Sequence, residues 1–204
     1  MIYWFLKIFI APIMWLILRP MVLGQENLNI KGKAIFAINH IAAFDPLLIA
    51  IISPRIVHFM AKKELFEKKL LALLMRAVLA FPVSRETADR QSLKKAMAVL
   101  EKGKVFGIFP EGKRSVTYEL DKLNKGASFL AIRTGAPIVP IYIHSSSYDG
   151  LRPKVAVGKP INVSELVADS KKSALVDVVT DEISDAISAL RIELEEKIEG
   201  NKRR

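Results

Sequence analysis

The sequence contains no cysteine, no low-complexity tract, no long acidic tail and no internal repeat. Without cysteine the chain can form no disulfide, carry no thiolate nucleophile and build no cysteine-ligated metal site. Its 204 residues are enough for one good-sized hydrophobic core, so the length predicts a single domain.

Basic residues outnumber acidic ones by 31 to 21, which gives the chain a formal charge of +10. This balance favours an anionic partner, such as a phosphate-bearing substrate, an anionic membrane or a nucleic acid. The aromatic side chains lie in apolar segments rather than among the basic residues, which disfavours nucleic-acid binding. Hydrophobic residues make up 51% of the chain, so it is unusually apolar for a globular protein.

Residues 1–23 are nearly all apolar, and Lys7 and Arg19 are their only charged members. A single helix of this length would extend about 34 Å, enough to cross a hydrocarbon layer of about 30 Å. Pro12 should interrupt that helix. We therefore expect residues 1–23 to form two short helical pieces that dock in one membrane leaflet, with a membrane-spanning helix as the alternative. Residues 24–204 are expected to form the remaining domain.

Apolar runs of strand length alternate with helical patterns along the rest of the chain. The expected strands are 33–38, 55–60, 81–85, 104–109, 137–143 and 154–157, and the expected helices are 47–52, 62–79, 87–101, 125–133 and 173–199. The last helix has an apolar stripe at helical spacing, which predicts a covering helix without a chemical role. The alternation predicts an α/β fold, a single-domain mixed sheet flanked by helices.

The segment that runs from Asn39 to Pro46 places a histidine and a carboxylate between an expected strand and an expected helix. Four residues separate His40 from Asp45, enough for the carboxylate to fold back onto the imidazole ring. Such a contact fixes the tautomer and leaves the other ring nitrogen free to accept a proton from a hydroxyl. In the alternative interpretation Asp45 caps the helix that follows, and Asn39 and His40 are structural; Asp45 could also do both.

A second distinctive segment is Phe109-Pro110-Glu111-Gly112-Lys113-Arg114-Ser115. A glycine permits a tight turn with exposed N–H groups, and the two cations beside it suit a phosphate or an oxyanion. The alternative is an ordinary turn with solvated charges. Lys125, at the expected start of a helix, is a weaker phosphate candidate on electrostatic grounds.

Taken together, four segments resemble in order the four blocks of the glycerolipid acyltransferase family, over residues 33–143. They are Asn39-His40-x4-Asp45, an extended piece with Arg85, Phe-Pro-Glu-Gly-x-Arg-Ser at 109–115, and Val-Pro-Ile at 139–141. The resemblance implies a membrane-associated enzyme at the cytoplasmic face of the cell membrane. Such an enzyme moves a fatty acyl chain from acyl-carrier protein (ACP) or coenzyme A (CoA) to lysophosphatidic acid, making phosphatidic acid without a metal or other cofactor.

The resemblance also implies roles for individual residues. His40 is the general base and Asp45 orients it, with direct attack by the acceptor hydroxyl rather than an acyl-enzyme. The implied substrate-binding residues are Asn39, Arg85, Glu111, Gly112 and Arg114, to which we add Lys125, and Pro140 shapes the acyl side. Ser84 stands where the commoner family form has an acidic residue. Three alternatives stay open: a hydrolase, a transferase for another acceptor, such as glycerol 3-phosphate or a lysophospholipid, and a non-catalytic membrane-surface protein.

Overall fold

The computed structural model describes residues 6–69, 72–73, 75, 79–83, 90–115, 120–150, 152–167 and 174–202. Strands in these ranges are β1 (Met21–Leu23), β2 (Ala34–Ile38), β3 (Val57–Lys62), β4 (Phe81–Val83), β5 (Val105–Ile108), β6 (Ile138–Ile143) and β7 (Lys154–Val157). They form one sheet in the order β1-β7-β6-β2-β5-β3-β4. All neighbours are parallel except β6 and β7, so the predicted mixed sheet is confirmed.

Helices cover both faces of this sheet. Within the described ranges they are α1 (Ala11–Leu18), α2 (Asp45–Ile52), α3 (Arg90–Glu101), α4 (Gly126–Thr134), α5 (Val163–Val167) and α6 (Leu175–Lys202). Short 3-10 segments occur at Gln25–Asn29, Lys63–Phe66 and Ser145–Tyr148, and a π-helical turn at Leu6–Ile10. The strand and helix alternation that the sequence predicts is therefore present, with several short elements that it did not predict.

The central strand β2 divides the core into two clusters, because its side chains point alternately to the two faces of the sheet. Ile35 and Ala37 pack in the cluster that includes α3, α4 and α6. Phe36 and Ile38 pack in the cluster that includes α2. All five β2 residues are buried, as expected for a strand covered on both faces. The predicted apolar stripe of α6 is buried throughout: Leu175, Val179, Ile183, Ile187, Leu190, Leu194 and Ile198.

The amino-terminal segment differs from its prediction. The π-helical turn at Leu6–Ile10 is followed directly by α1, so the described part of this segment consists of two short helical elements joined end to end. Pro12 lies in the first turn of α1, a position that proline commonly occupies. Met21–Leu23, assigned to the membrane segment, instead pairs with β7 as an edge strand. Among the described residues no helix is both long and apolar enough to span a membrane.

The helix predicted over residues 62–79 was wrong at its start. Lys62 is the last residue of β3, and a 3-10 segment follows at Lys63–Phe66. The strand extends this far because Met60–Lys62 pairs with β4, and this tertiary pairing overrides the helical pattern of the sequence. Residues 72, 73 and 75 are helical, whereas residues 70, 71, 74 and 76–78 lie outside the described ranges. The predicted helix start at Thr87 also lies outside them.

Candidate active site

The two distinctive segments of the sequence meet at the carboxyl-terminal edge of the sheet. Strands β2 and β5 are parallel neighbours in which Ala37 lies opposite Ile108. His40 follows Ala37 by three positions and Glu111 follows Ile108 by three, so the register brings both loops to the same place. This is the edge at which open α/β sheets commonly bind their ligands.

The imidazole of His40 contacts the carboxylate of Asp45. Nδ1 of His40 lies 2.7 Å from Oδ2 of Asp45, and the Asp45 side chain is fully buried. The same oxygen accepts hydrogen bonds from the main-chain N–H groups of Ile41, at 2.8 Å, and Ala42, at 2.9 Å. The carboxylate is thus fixed by the loop that carries His40.

This geometry excludes helix capping as the role of the Asp45 side chain. The N-cap position of α2 is Phe44, which makes no side-chain capping bond, and Asp45 is the first residue of the helix. Its carboxylate turns back toward residues that precede the helix, where it accepts from the loop. The alternative in which Asp45 serves only as a cap was therefore wrong.

The ring of His40 is supported from one side by Phe109. The two rings stack with centroids 4.1 Å apart and an interplanar angle of 24°. Phe59 backs Phe109 in turn, with ring centroids 5.9 Å apart. The His40 side chain is 17% exposed, and among the described residues its Nε2 atom has no hydrogen-bond partner. Because Nδ1 is held by Asp45, Nε2 is the nitrogen available to a bound molecule.

The buried carboxylate of Glu111 joins the two loops. Its Oε1 accepts the main-chain N–H of His40 at 2.7 Å, and its Oε2 accepts that of Asp121 at 3.1 Å. In return, the N–H of Ser115 donates to the carbonyl of His40 at 2.8 Å. Burial raises the pKa of Glu111, and the two N–H donors partly oppose that shift. Both carboxylate oxygens of Glu111, a predicted substrate-binding residue, are therefore bonded to main-chain N–H groups.

Gly112 and Arg114 form the exposed part of the same turn. Gly112 has a φ of +71°, and a Cβ at this position would lie 2.8 Å from Nδ2 of Asn124. Asn124 closes the turn by donating both its main-chain N–H and its side-chain amide to the carbonyl of Pro110. Arg114 is exposed and has no ion pair with the described part of the chain, whereas Lys113 pairs with Asp121. Of these two cations, Arg114 is the more available to an anion.

Asn39 lies in the site loop but faces the sheet. It is buried, its Oδ1 accepts the N–H of Ile143 at 2.6 Å, and its Nδ2 donates to the carbonyl of Ile143 at 3.0 Å. These bonds continue the pairing of β2 with β6 beyond the last strand residue. Both polar groups of the Asn39 side chain are thus hydrogen-bonded to the main chain of Ile143. These bonds argue against the predicted contact of Asn39 with substrate.

Two other predicted residues, Lys125 and Pro140, make their described contacts away from His40. Lys125 precedes α4 as expected, but its ammonium forms an ion pair with Asp177 at the start of α6. Pro140 lies opposite Ala37 in mid-strand, and its ring borders Gly158 in a groove that also contains Leu190 of α6. Neither placement supports the predicted role. Arg85, predicted to bind the acceptor, lies outside the described residues, so its role stays a prediction.

Tyr148 is a residue of this site that the sequence patterns did not predict. Its hydroxyl donates to Oδ1 of Asp45 at 2.7 Å. Burial raises the pKa of this phenol, and the Asp45 carboxylate raises it further, so the hydroxyl keeps its proton. No local pattern marks Tyr148, which lies 103 positions from its partner. Within the described ranges, no cluster of three or more metal-ligating side chains occurs.

The chain is similar to known acyltransferases. A family model described as Acyltransferase matches residues 19–144. The 1-acyl-sn-glycerol-3-phosphate acyltransferase of Bacillus subtilis is 32% identical over 181 residues, covering 86% of this chain and 89% of that protein. Its counterpart in Borreliella burgdorferi is 26% identical over 191 residues, covering 88% and 76% respectively.

A solved structure has the same fold. The crystal structure of the 1-acyl-sn-glycerophosphate acyltransferase from Thermotoga maritima superposes with a TM-score of 0.66 at 20% identity, covering 89% of this chain and 79% of that one. The non-catalytic alternative is set aside by the match of the family model over more than half of the chain and by the similarity to the Bacillus enzyme. The chain belongs to the acyltransferase family.

Proposed function

We propose that this enzyme transfers a fatty acyl chain from an acyl thioester to the sn-2 hydroxyl of lysophosphatidic acid, making phosphatidic acid, with His40 as general base. The observation that carries the proposal is the 2.7 Å contact between Nδ1 of His40 and the buried carboxylate of Asp45, which leaves Nε2 available. The acceptor is proposed from the names of the relatives from Bacillus subtilis and Borreliella burgdorferi.

In the proposed reaction, Nε2 of His40 takes the proton of the acceptor hydroxyl while that oxygen attacks the thioester carbonyl. The tetrahedral intermediate then collapses, the carbon–sulfur bond breaks, and the imidazolium returns the proton to the leaving thiolate. Asp45 holds the ring in the required tautomer and stabilises its positive charge. General-base help of this kind contributes about 10²- to 10⁴-fold to a rate. The thioester is already activated, so the step needs no other reactant.

The head group of the acceptor is proposed to lie against the Gly112–Arg114 turn. The exposed guanidinium of Arg114 is unpaired within the described ranges and follows β5 at the same sheet edge as His40. A guanidinium binds a phosphate through two parallel hydrogen bonds, which would orient the acceptor hydroxyl toward the base. Arg85 remains a second proposed phosphate ligand on the family resemblance alone.

The donor is proposed to be acyl-ACP or acyl-CoA. Both carriers present the same thioester to the site, so the chemistry at His40 is identical for either. The feature that separates them is the carrier itself, which is an acidic protein in one case and a nucleotide in the other. The positive charge of the chain suits both.

We further propose that the amino-terminal segment docks the enzyme on an anionic membrane at the cytoplasmic face. The docking face consists of side chains that are each more than half exposed: Ile8, Phe9, Ile13, Leu16 and Ile17. The opposite side is tied to the domain, since Lys7 donates to the carbonyls of Ala50 and Ser53 at the end of α2. Phe44, in the loop between His40 and Asp45, is 64% exposed and would bring the site itself to the bilayer.

The function is tested by an acceptor panel with both donors. Purified enzyme on anionic vesicles is given radiolabelled acyl-ACP or acyl-CoA with lysophosphatidic acid, glycerol 3-phosphate or a neutral lysophospholipid. We expect phosphatidic acid from lysophosphatidic acid to form at least about tenfold faster than the other products. Faster transfer to another acceptor would overturn the assigned substrate.

Membrane docking is tested separately by vesicle co-sedimentation. Leu16→Gln places an amide in the docking face and should weaken binding to anionic vesicles. Ile192→Gln is the matched control, because Ile192 is 59% exposed but lies on α6. Equal binding by the Leu16 variant and the control would contradict the proposed docking face.

A further inference from the structure

The carboxylate of Asp45 has two oxygens with different surroundings. Oδ2 accepts from Nδ1 of His40 and from two main-chain N–H groups of the same loop. Among the described residues Oδ1 has a single partner, the hydroxyl of Tyr148, at 2.7 Å. Asp45 is fully buried, so water does not compete freely for this oxygen. The Tyr148 hydroxyl is therefore the one described partner of this carboxylate that comes from outside the loop.

Tyr148 is presented by a well-anchored turn. It ends the 3-10 segment Ser145–Tyr148, which follows β6, and Nδ1 of His144 accepts the main-chain N–H of Ser146 at 3.1 Å. The buried hydroxyl of Ser147 donates to the carbonyl of Lys154 at 2.9 Å and accepts its N–H at 3.0 Å. Because the turn follows β6 directly along the chain and Ser147 is bonded to Lys154 of β7, the phenol is held beside Asp45.

We propose that Tyr148 is a positioning residue for acyl transfer, acting on His40 through Asp45. This inference deepens the proposed function and rests on His40 as the base. With its O–H on Oδ1, the carboxylate cannot rotate away from the imidazole, so Nε2 stays aimed at the acceptor hydroxyl. The same hydrogen bond withdraws negative charge from the carboxylate and weakens its hold on a protonated imidazole.

Loss of the hydroxyl has two separable effects. The carboxylate loses the partner of Oδ1, so the ring is held in a wider range of orientations and kcat falls. The carboxylate also becomes a stronger partner for the imidazolium, so the imidazole stays protonated to higher pH. The acidic limb of the kcat/KM profile therefore moves to higher pH. A residue that only fills space beside the loop would lower stability without moving this limb.

The test uses Tyr148→Phe, which keeps the ring and removes only the hydroxyl, with Tyr142→Phe as control. Tyr142 is a buried tyrosine of β6 whose hydroxyl does not contact Asp45. We expect Tyr148→Phe to lower kcat about tenfold to 150-fold, the range for one hydrogen bond to a charged group, with both KM values within about twofold. Its acidic limb should move up by a few tenths of a pH unit, while that of Tyr142→Phe stays in place.

Two further variants separate the role of the Tyr148 hydroxyl from that of its ring and from that of His40. Tyr148→Ala removes ring and hydroxyl together; if it alone loses activity while Tyr148→Phe keeps the wild-type kcat and pH profile, the hydroxyl has no role and the inference is overturned. His40→Ala is assayed in parallel to separate this inference from the proposed function. Full activity in His40→Ala would show that His40 is not the base and would overturn the proposed function. An inactive His40→Ala with an unaffected Tyr148→Phe would overturn only the role of Tyr148.

Discussion

The main-chain N–H of His40 donates to Oε1 of Glu111 at 2.7 Å, joining residues that are 71 positions apart in the chain. The carbonyl of His40 accepts from Ser115 in the same turn, so His40 is bonded to the Glu111 loop through both of its backbone groups. The loop that carries His40 and the turn of residues 111–115 are therefore one hydrogen-bonded unit. Both oxygens of Glu111 accept main-chain N–H groups, so this carboxylate fixes the backbone of His40 rather than standing free.

Glu111→Gln tests this structural role. A carboxamide has only one oxygen, so its NH2 group must face one of the two N–H donors now bound by Glu111. We expect a loss of about 1–3 kcal/mol in the free energy of unfolding and a fall in kcat. Urea unfolding and steady-state kinetics measure the two. Glu101→Gln, at the exposed end of α3, is the control. A raised KM for lysophosphatidic acid at unchanged stability would instead indicate direct contact with the acceptor.

Gly112→Ala tests the shape of the turn, with Gly103→Ala as a matched control. The two glycines have nearly equal positive φ values, +71° and +69°, so both alanine variants carry the same backbone strain of about 1–2 kcal/mol. Only at Gly112 would the new Cβ meet another group, Nδ2 of Asn124 at 2.8 Å. We expect both variants to lose stability, but only Gly112→Ala to lose acyl transfer. Equal activity in the two variants would show that the turn does not shape the site.

Arg114→Ala tests the head-group contact. If its guanidinium binds the acceptor phosphate, the KM for lysophosphatidic acid should rise by about tenfold or more, while the KM for the thioester stays unchanged. Stability should be unaffected, because Arg114 is exposed and forms no ion pair within the described part of the chain. Arg133→Ala, at the exposed end of α4, controls for the loss of one positive charge. The same acceptor KM in both variants would refute a specific contact.

His58 should make stability depend on pH. Burial lowers its pKa, with Lys104 lowering it further, and Nδ1 is buried without a hydrogen-bond partner in the described residues. As the pH falls, the unfolded chain therefore takes up a proton on His58 at a higher pH than the folded chain does. The contribution of neutral His58 to the free energy of unfolding is complete above about pH 6.5 and decreases below it. The loss is at most about 1.4 kcal/mol per unit of pKa shift.

The measurement is urea unfolding of the wild type and His58→Phe at several pH values between 5 and 8. The phenylalanine variant has no proton to bind at this position, so its stability should fall less on the acid side. Parallel curves for the two proteins across this range would contradict the effect of burial on His58.

Sequence patterns predicted the parts of the fold and site that depend on local order. The strand β2, the loop from His40 to Asp45 and the turn at Glu111 are encoded by contiguous residues, and all three are present where expected. Their meeting depends on the strand order, which places β5 beside β2 so that both segments end at one edge of the sheet. The long helix α6 was predictable because its apolar stripe has a regular period.

Contacts between distant segments could not be predicted in this way. The bond from Tyr148 to Asp45 depends on the turn after β6, and β6 lies beside β2 only because of the strand order. The bonds of Asn39 to Ile143 have the same origin. Lys125 was expected to face a phosphate, but the packing of α6 supplies Asp177 as its partner. Three-residue β1 is too short to give a periodic signal.

In the proposed mechanism, His40 removes the proton of the acceptor hydroxyl. The most direct test is the single-turnover rate of acyl transfer to lysophosphatidic acid by His40→Ala bound to anionic vesicles, with folding checked by thermal unfolding. We expect a well-folded, vesicle-bound variant whose rate is about 10²- to 10⁴-fold below that of the wild type. A rate within about threefold of the wild type would contradict it, because general-base help is worth far more than that.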